Sequence, residues 1–253
     1  MSELRSIFKQ EFMKLQNIEG IKQSFIATNV DEIKKIFGYI FVINYLKNRA
    51  ETKRYFGAEY NMTFSLLLES TFALLTGQCR SSLLLLRSAQ EANFRFVLER
   101  ERELMLRQDS TLSFESLDFR FIETKRKFTK DLQNSIDRGK FSDYYNSIER
   151  TYTLYNKLSG VVHSQSKNMP VMSVEYFSSL HKETIIDKQE FFNLFSATLN
   201  EMFLLTFFML RESLKKWDSY VLFDLLIILY GKKRSQSLIK LIKTFEINNL
   251  EVE

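Results

Sequence analysis

The sequence predicts a single all-α domain, an antiparallel bundle of about eight helices with short C-terminal helices packed on it. Three observations carry this. The chain has seven glycines and one proline in 253 residues, too few turn residues for a β-rich fold of this size. Apolar residues recur at helical rather than alternating spacing over most of the chain. No internal repeat, low-complexity linker or shift in composition between these periodic segments argues for a second domain. The domain is expected to span 1–253, with a core bundle over about 29–217 and a helical appendage over 218–253.

Residues 2–16 read as a short amphipathic helix without a signal-peptide core, so the cytoplasm is the expected location. A long helix is predicted over 29–55, with Ile33, Ile36, Phe37, Ile40 and Phe41 on its apolar face and Thr28, Asn29 and Asp31 as N-cap candidates. Gly57 ends it. Residues 59–76 form the next helix, and Gly77 turns the chain into an antiparallel partner over 79–107. The first half of that partner is apolar on nearly every side and is expected at the bundle centre. Its second half carries the run ERERE and is expected to face solvent. Cys79, at its start, reads as a buried structural thiol. As the lone cysteine it excludes an internal disulfide and a multi-cysteine zinc site.

A more polar helix is expected over 113–136, anchored by Phe114, Leu117, Phe121 and Phe128, with a turn at Arg138 and Gly139. Residues 141–162 form another helix. The longest loop follows over 164–186, with Pro170 and a short turn around 174–180. Residues 188–216 read as a long apolar helix. Its run FFNLFSATLNEMFLLTFFML is long enough to cross a bilayer, yet holds Asn193, Asn200 and Glu201, so a buried core helix is the expectation and no membrane partner follows. Two short helices close the chain, over 218–230 and 233–246, separated by Gly231.

Polar stripes on two helices are the candidates for chemistry. Arg80, Arg87 and Glu91 share one face of the 79–107 helix, and Arg87 and Glu91, one turn apart, are placed to pair. Charges on so apolar a helix either clamp helices together or line a cleft. On the 141–162 helix, Tyr152, Asn156, Ser159 and His163 share a face, and Gly160 reads as a point of close approach. If the two stripes meet, Arg87, Glu91, Ser159 and His163 form one cluster. A serine nucleophile there lacks a third group and an oxyanion loop. No HExxH, Walker or GxGxxG motif appears, so neither a metal nor a nucleotide cofactor is expected. Metal-free RNA cleavage asks for less: His163 to move a proton, and Arg87 or Lys157 to hold the phosphate. His181, the other histidine, reads as a solvated surface residue. The stretches KKWDSY and YGKKRSQ concentrate positive charge as solvated helix ends or as phosphate contacts, in a chain of net charge +5.

The helix pattern LLLLRSAQEA, residues 83–92, followed by YNKLSGVVHS, residues 155–164, resembles the HEPN-like helical proteins of bacterial defence islands, the abortive-infection type among them. The resemblance covers roughly residues 35–210. It implies a helical bundle, often a homodimer, with a composite site between helices. Its active members are metal-independent ribonucleases with an Arg, then usually a polar residue, and a His four to six residues further on. His163 matches the histidine. Lys157 stands in the arginine's place and Leu158 in that of the polar residue. What the resemblance implies is an anti-phage or toxin-type defence protein acting on RNA, with His163, Arg87, Lys157 and Glu91 as the catalytic set and Arg80, Asn156, Ser159 and Tyr152 holding substrate. The alternative is a non-catalytic interaction or sensor subunit of a defence or toxin–antitoxin complex.

Overall fold

A computed structural model describes residues 3–117, 120–163 and 186–244. Among these residues every regular element is helical and there is no strand. The helices are α1 (Glu3–Leu15), α2 (Gln23–Thr28), α3 (Val30–Asn48), α4 (Tyr60–Leu75), α5 (Cys79–Gln108), α6 (Phe121–Gln133), α7 (Ser142–Val162), α8 (Lys188–Met209), α9 (Arg211–Leu214), α10 (Ser219–Leu226) and α11 (Lys232–Thr244). A 3₁₀ turn, Lys53–Tyr55, lies between α3 and α4.

Eleven α-helices stand among the described residues where about eight were expected; α2 forms in a stretch read as no helix, and long periodic segments break or shorten. The 29–55 segment stops at Asn48 and resumes as the 3₁₀ turn. The 188–216 segment breaks at Leu210. The 113–136 segment becomes helical only at Phe121, and Phe114 and Leu117 anchor the irregular chain before it. Asn29 does occupy the N-cap position of α3, but its amide reaches back to the Phe25 carbonyl at 2.6 Å, closing α2 instead of capping α3. Residues 164–185, with Pro170, the 174–180 turn and His181, lie outside the described residues, as does the chain past 244.

α8 forms the centre. Its apolar stretch is 83 % buried against α3, α5 and α7, as a core helix requires, and membrane-like length and composition serve packing here. Its polar residues are partnered. Glu201 accepts from Ser147 Oγ at 2.7 Å and Arg150 Nε at 2.8 Å, and Asn200 accepts from Tyr230 OH at 2.7 Å. Asp187 caps its first turn, accepting from Gln189 N at 2.8 Å.

α4 and α5 form the expected antiparallel hairpin, turning at Gly77 with φ +82°, a conformation that favours glycine. α5 then packs on α6, α7 and α8 as well. Its two halves differ from expectation. Leu84, in the apolar half, is 45 % exposed, whereas Glu101, within ERERE, is 0 % exposed. Glu101 is buried because Arg211, at the break after α8, grips it with Nη2–Oε2 at 2.9 Å and Tyr144 OH donates to it at 2.7 Å. A charge enters a core when its partner is supplied from another helix, and local composition does not reveal that. Cys79 is half-buried rather than buried, at the rim of the core where α5 begins.

The C-terminal helices pack on the bundle. Leu222, Leu225, Leu226, Leu238 and Ile242 are fully buried, and Arg5 of α1 reaches Asp224 of α10 at 3.3 Å. At Gly38 of α3 a Cβ would sit 3.4 Å from the Leu229 side chain, in ordinary contact, whereas at Gly57 it would overlap the Glu59 carboxylate. Gly160, expected as a point of close approach, is exposed with nothing within 4 Å of a Cβ among the described residues.

Candidate functional site

The two polar stripes do meet. α5 and α7 pack side by side, and Arg87 reaches across to α7. Its Nε donates to Ser159 Oγ at 2.8 Å and its Nη2 to Tyr155 OH at 2.5 Å. Its Cζ also lies 4.6 Å from the centre of the Tyr155 ring, so cation and aromatic face attract. Tyr155 OH donates onward to Glu91 Oε2 at 3.3 Å, and Glu91 Oε1 pairs with Arg95 Nη2 at 3.2 Å. The result is one ladder, Ser159–Arg87–Tyr155–Glu91–Arg95, running up the α5–α7 seam. Glu91 therefore touches Arg87 only through the Tyr155 hydroxyl, and its ion pair is with Arg95 rather than with Arg87 as expected. The reason is distance: Arg87 is drawn over α7 by two acceptors, and Arg95, one turn further along α5, takes the carboxylate.

α6 closes the seam from outside. Phe121 stacks on Tyr155 with ring centres 4.0 Å apart and planes 7° from parallel. Burial raises the Tyr155 hydroxyl above its ordinary range, and the Glu91 carboxylate pushes the same way while Arg87 opposes. The hydroxyl thus stays protonated and serves as the donor that the ladder needs.

Ser159 Oγ donates to the Tyr155 carbonyl at 2.9 Å while accepting from Arg87. Its proton is directed at its own helix and not at His163, so no serine–histidine pair forms. Tyr152 is half-buried beside Phe121, with Lys125 Nζ 5.4 Å from its ring centre. Asn156 and Lys157 are exposed. Lys157 lies six residues before His163, which sets it about 120° round the helix from that histidine.

His163 is exposed and forms the C-cap of α7, its backbone N–H donating to Ser159 O at 3.2 Å. The cation brought to that helix end is Arg80, whose Nη1 donates to Val162 O at 2.7 Å. An arginine there meets the last carbonyls and the negative end of the helix dipole. The site thus divides in two. Arg87, Glu91, Tyr155 and Ser159 tie helices together, and Arg80 and His163 stand at the C-terminal end of α7.

Tyr155, Phe121 and Arg95 are the members sequence reasoning missed. Two had a signal: Tyr155 is one turn before Ser159, and Arg95 one turn after Glu91. Phe121 was read only as an anchor of its own helix, and nothing local placed it against Tyr155. Among the described residues no three of His, Cys, Asp and Glu converge as a metal-binding group. No protein-family model, no curated protein and no solved structure matches the chain.

Proposed function

We propose that this protein is a HEPN-like RNA-acting protein of bacterial anti-phage or toxin-type defence, cleaving RNA without a metal at the C-terminal end of α7, in the cytoplasm. The observation that supports it is an exposed histidine at the end of α7, His163, with an arginine bonded to the carbonyl of the residue before it, Arg80 on Val162 O. His163 takes the proton from a ribose 2′-hydroxyl and returns one to the leaving oxygen. Arg80, held on the Val162 carbonyl, brings a permanent positive charge to that helix end, where negative charge builds on the phosphate. In this reading Arg80 replaces Lys157 as the phosphate ligand, since Lys157 faces another side of the helix. Arg87 acts indirectly, by fixing α7 against α5.

The test is cleavage of total RNA and tRNA in EDTA by wild type, His163→Ala and Arg80→Ala. Cleavage by wild type that both variants lose supports the assignment. Equal cleavage by His163→Ala refutes it.

A second reading, a non-catalytic interaction subunit, draws on the ladder itself. Every rung from Ser159 to Arg95 is already bonded within the chain, as a structural clamp would be. On that reading neither wild type nor variants cleave RNA, and a homodimer or a partner protein is the object to seek.

A further inference from the structure

The stretch KKWDSY, left aside by the seam chemistry, lands in the wall of a cavity of about 450 Å³. The cavity lies between the turn after α3 and the junction of α9 with α10. Arg49, Arg54 and Lys216 bring three cations to it, against the two carboxylates of Glu51 and Asp218. Both carboxylates are engaged. Glu51 Oε2 is 3.1 Å from Arg49 Nε, and Asp218 caps α10 by accepting from Tyr220 N at 2.7 Å. Arg54 and Lys216 have no carboxylate within ion-pair distance among the described residues, and both are exposed.

Trp217 supplies the rigid wall. It is 7 % exposed, and the Arg49 guanidinium is held 5.2 Å from its ring centre and 5.5 Å from that of Tyr45. The Arg49 Nη1 donates to Tyr45 OH at 2.8 Å, and Ser213 Oγ donates to Glu51 O at 3.0 Å, so the turn is pinned to α9. One donor behind this wall, Trp217 Nε1, is buried without a hydrogen-bond acceptor among the described residues, whereas Arg49 Nε faces the Glu51 carboxylate. The charges that a ligand in the cavity would meet are therefore those of the exposed Arg54 and Lys216. Arg54 also borders a smaller cavity with Arg100, Arg107 and Glu103, where Arg100 is paired with Glu59 and Glu103. Leu104 of α5 lines that second cavity, 17 residues from Arg87 and so roughly 25 Å along the helix from the seam.

We infer that this cavity binds a small phosphate-bearing molecule of mononucleotide size. Arg54 and Lys216 hold the phosphate, and Arg49 and Trp217 form the preorganised wall behind it. A volume of this order suits a small ligand. Paired local carboxylates leave the excess charge positive, which favours phosphate.

The chain's single tryptophan is Trp217, so its fluorescence reports on this cavity alone. The full chain is titrated with AMP, inorganic pyrophosphate and adenosine at low salt, with calorimetry in parallel. The expected result is a saturable change in emission with AMP and pyrophosphate and none with adenosine. The Arg54→Ala/Lys216→Ala double variant, at two exposed positions and with an unchanged melt, should bind at least about tenfold more weakly, each lost contact being charge-assisted. Arg87→Lys should bind as wild type does. No saturable signal with either phosphate compound overturns the inference, as does equal affinity for adenosine or undiminished binding by the double variant. A response to an oligoribonucleotide but not to AMP also overturns it, since the cavity would then be part of a polymer-binding surface.

Discussion

Replacing Arg211 by Met should be among the most damaging single changes in the bundle. Arg211 is 4 % exposed, and Nη1 and Nη2 meet Glu101 Oε1 and Oε2 at 2.5 and 2.9 Å. Methionine keeps much of the stem volume but deletes the charge. Glu101, 0 % exposed, would then remain as a buried carboxylate with the Tyr144 hydroxyl, now at 2.7 Å, still donating to it. Breaking a buried pair from one side costs about 3–5 kcal/mol. At roughly 2–4 °C per kcal/mol for a chain of this length, the Tm should fall by about 6–20 °C. The double variant Glu101→Gln/Arg211→Met removes both charges and leaves Tyr144 an acceptor. It should recover roughly 1–3 kcal/mol relative to Arg211→Met alone, a coupling between touching residues. Thermal and urea melts of the four proteins measure this. Arg211→Met melting within about 3 °C of wild type would refute the reasoning, because a buried charge would then have lost its partner at little cost. So would a double variant as unstable as the single one.

Other expected outcomes concern the seam, the turns and pH. Arg87→Lys cannot supply both the Ser159 and Tyr155 bonds, and should lower stability by about 1–2 kcal/mol in a urea melt. Gly57→Ala should destabilise by more than about 1 kcal/mol, since φ is +50° and a Cβ would overlap the Glu59 carboxylate. Gly160→Ala should do the reverse and stabilise by about 0.5–1 kcal/mol, since that site is helical and open. Burial raises the Tyr39 and Tyr145 hydroxyls from 10.0 to about 12. The unfolded chain ionises them near 10 while the folded chain keeps their protons, so this stability is intact below that pH and declines as pH rises toward 12. The Tm should therefore drop across that window, and Tyr39→Phe and Tyr145→Phe should each make the drop shallower.

Legibility from sequence followed the range of the interactions. Helix periodicity is local, and the α4–α5 hairpin at Gly77 and the burial of α8 were readable from spacing and composition alone. The Arg87 and Ser159 stripes were each readable, since each lies on one face of one helix, but their meeting stayed conditional, because spacing within a helix does not align it with another. What escaped was set by partners distant in the chain. Glu101 is buried by Arg211, 110 positions away, and its ERERE surroundings resemble a solvated face. The Glu91 pairing was misread because Tyr155 enters between Glu91 and Arg87 from another helix. Gly160 shows the same limit in reverse: a mid-helix glycine announces low propensity, and only the fold shows whether anything approaches it.

The division of the seam into a clamp and a helix end carrying His163 is tested most directly by His163→Ala and Arg87→Lys side by side, each measured for Tm and for RNA cleavage in EDTA. His163→Ala should melt with wild type and lose cleavage, while Arg87→Lys should melt lower. A His163→Ala protein that melts well below wild type, with no cleavage by any of the three, would contradict the division and make the histidine one more rung of the clamp.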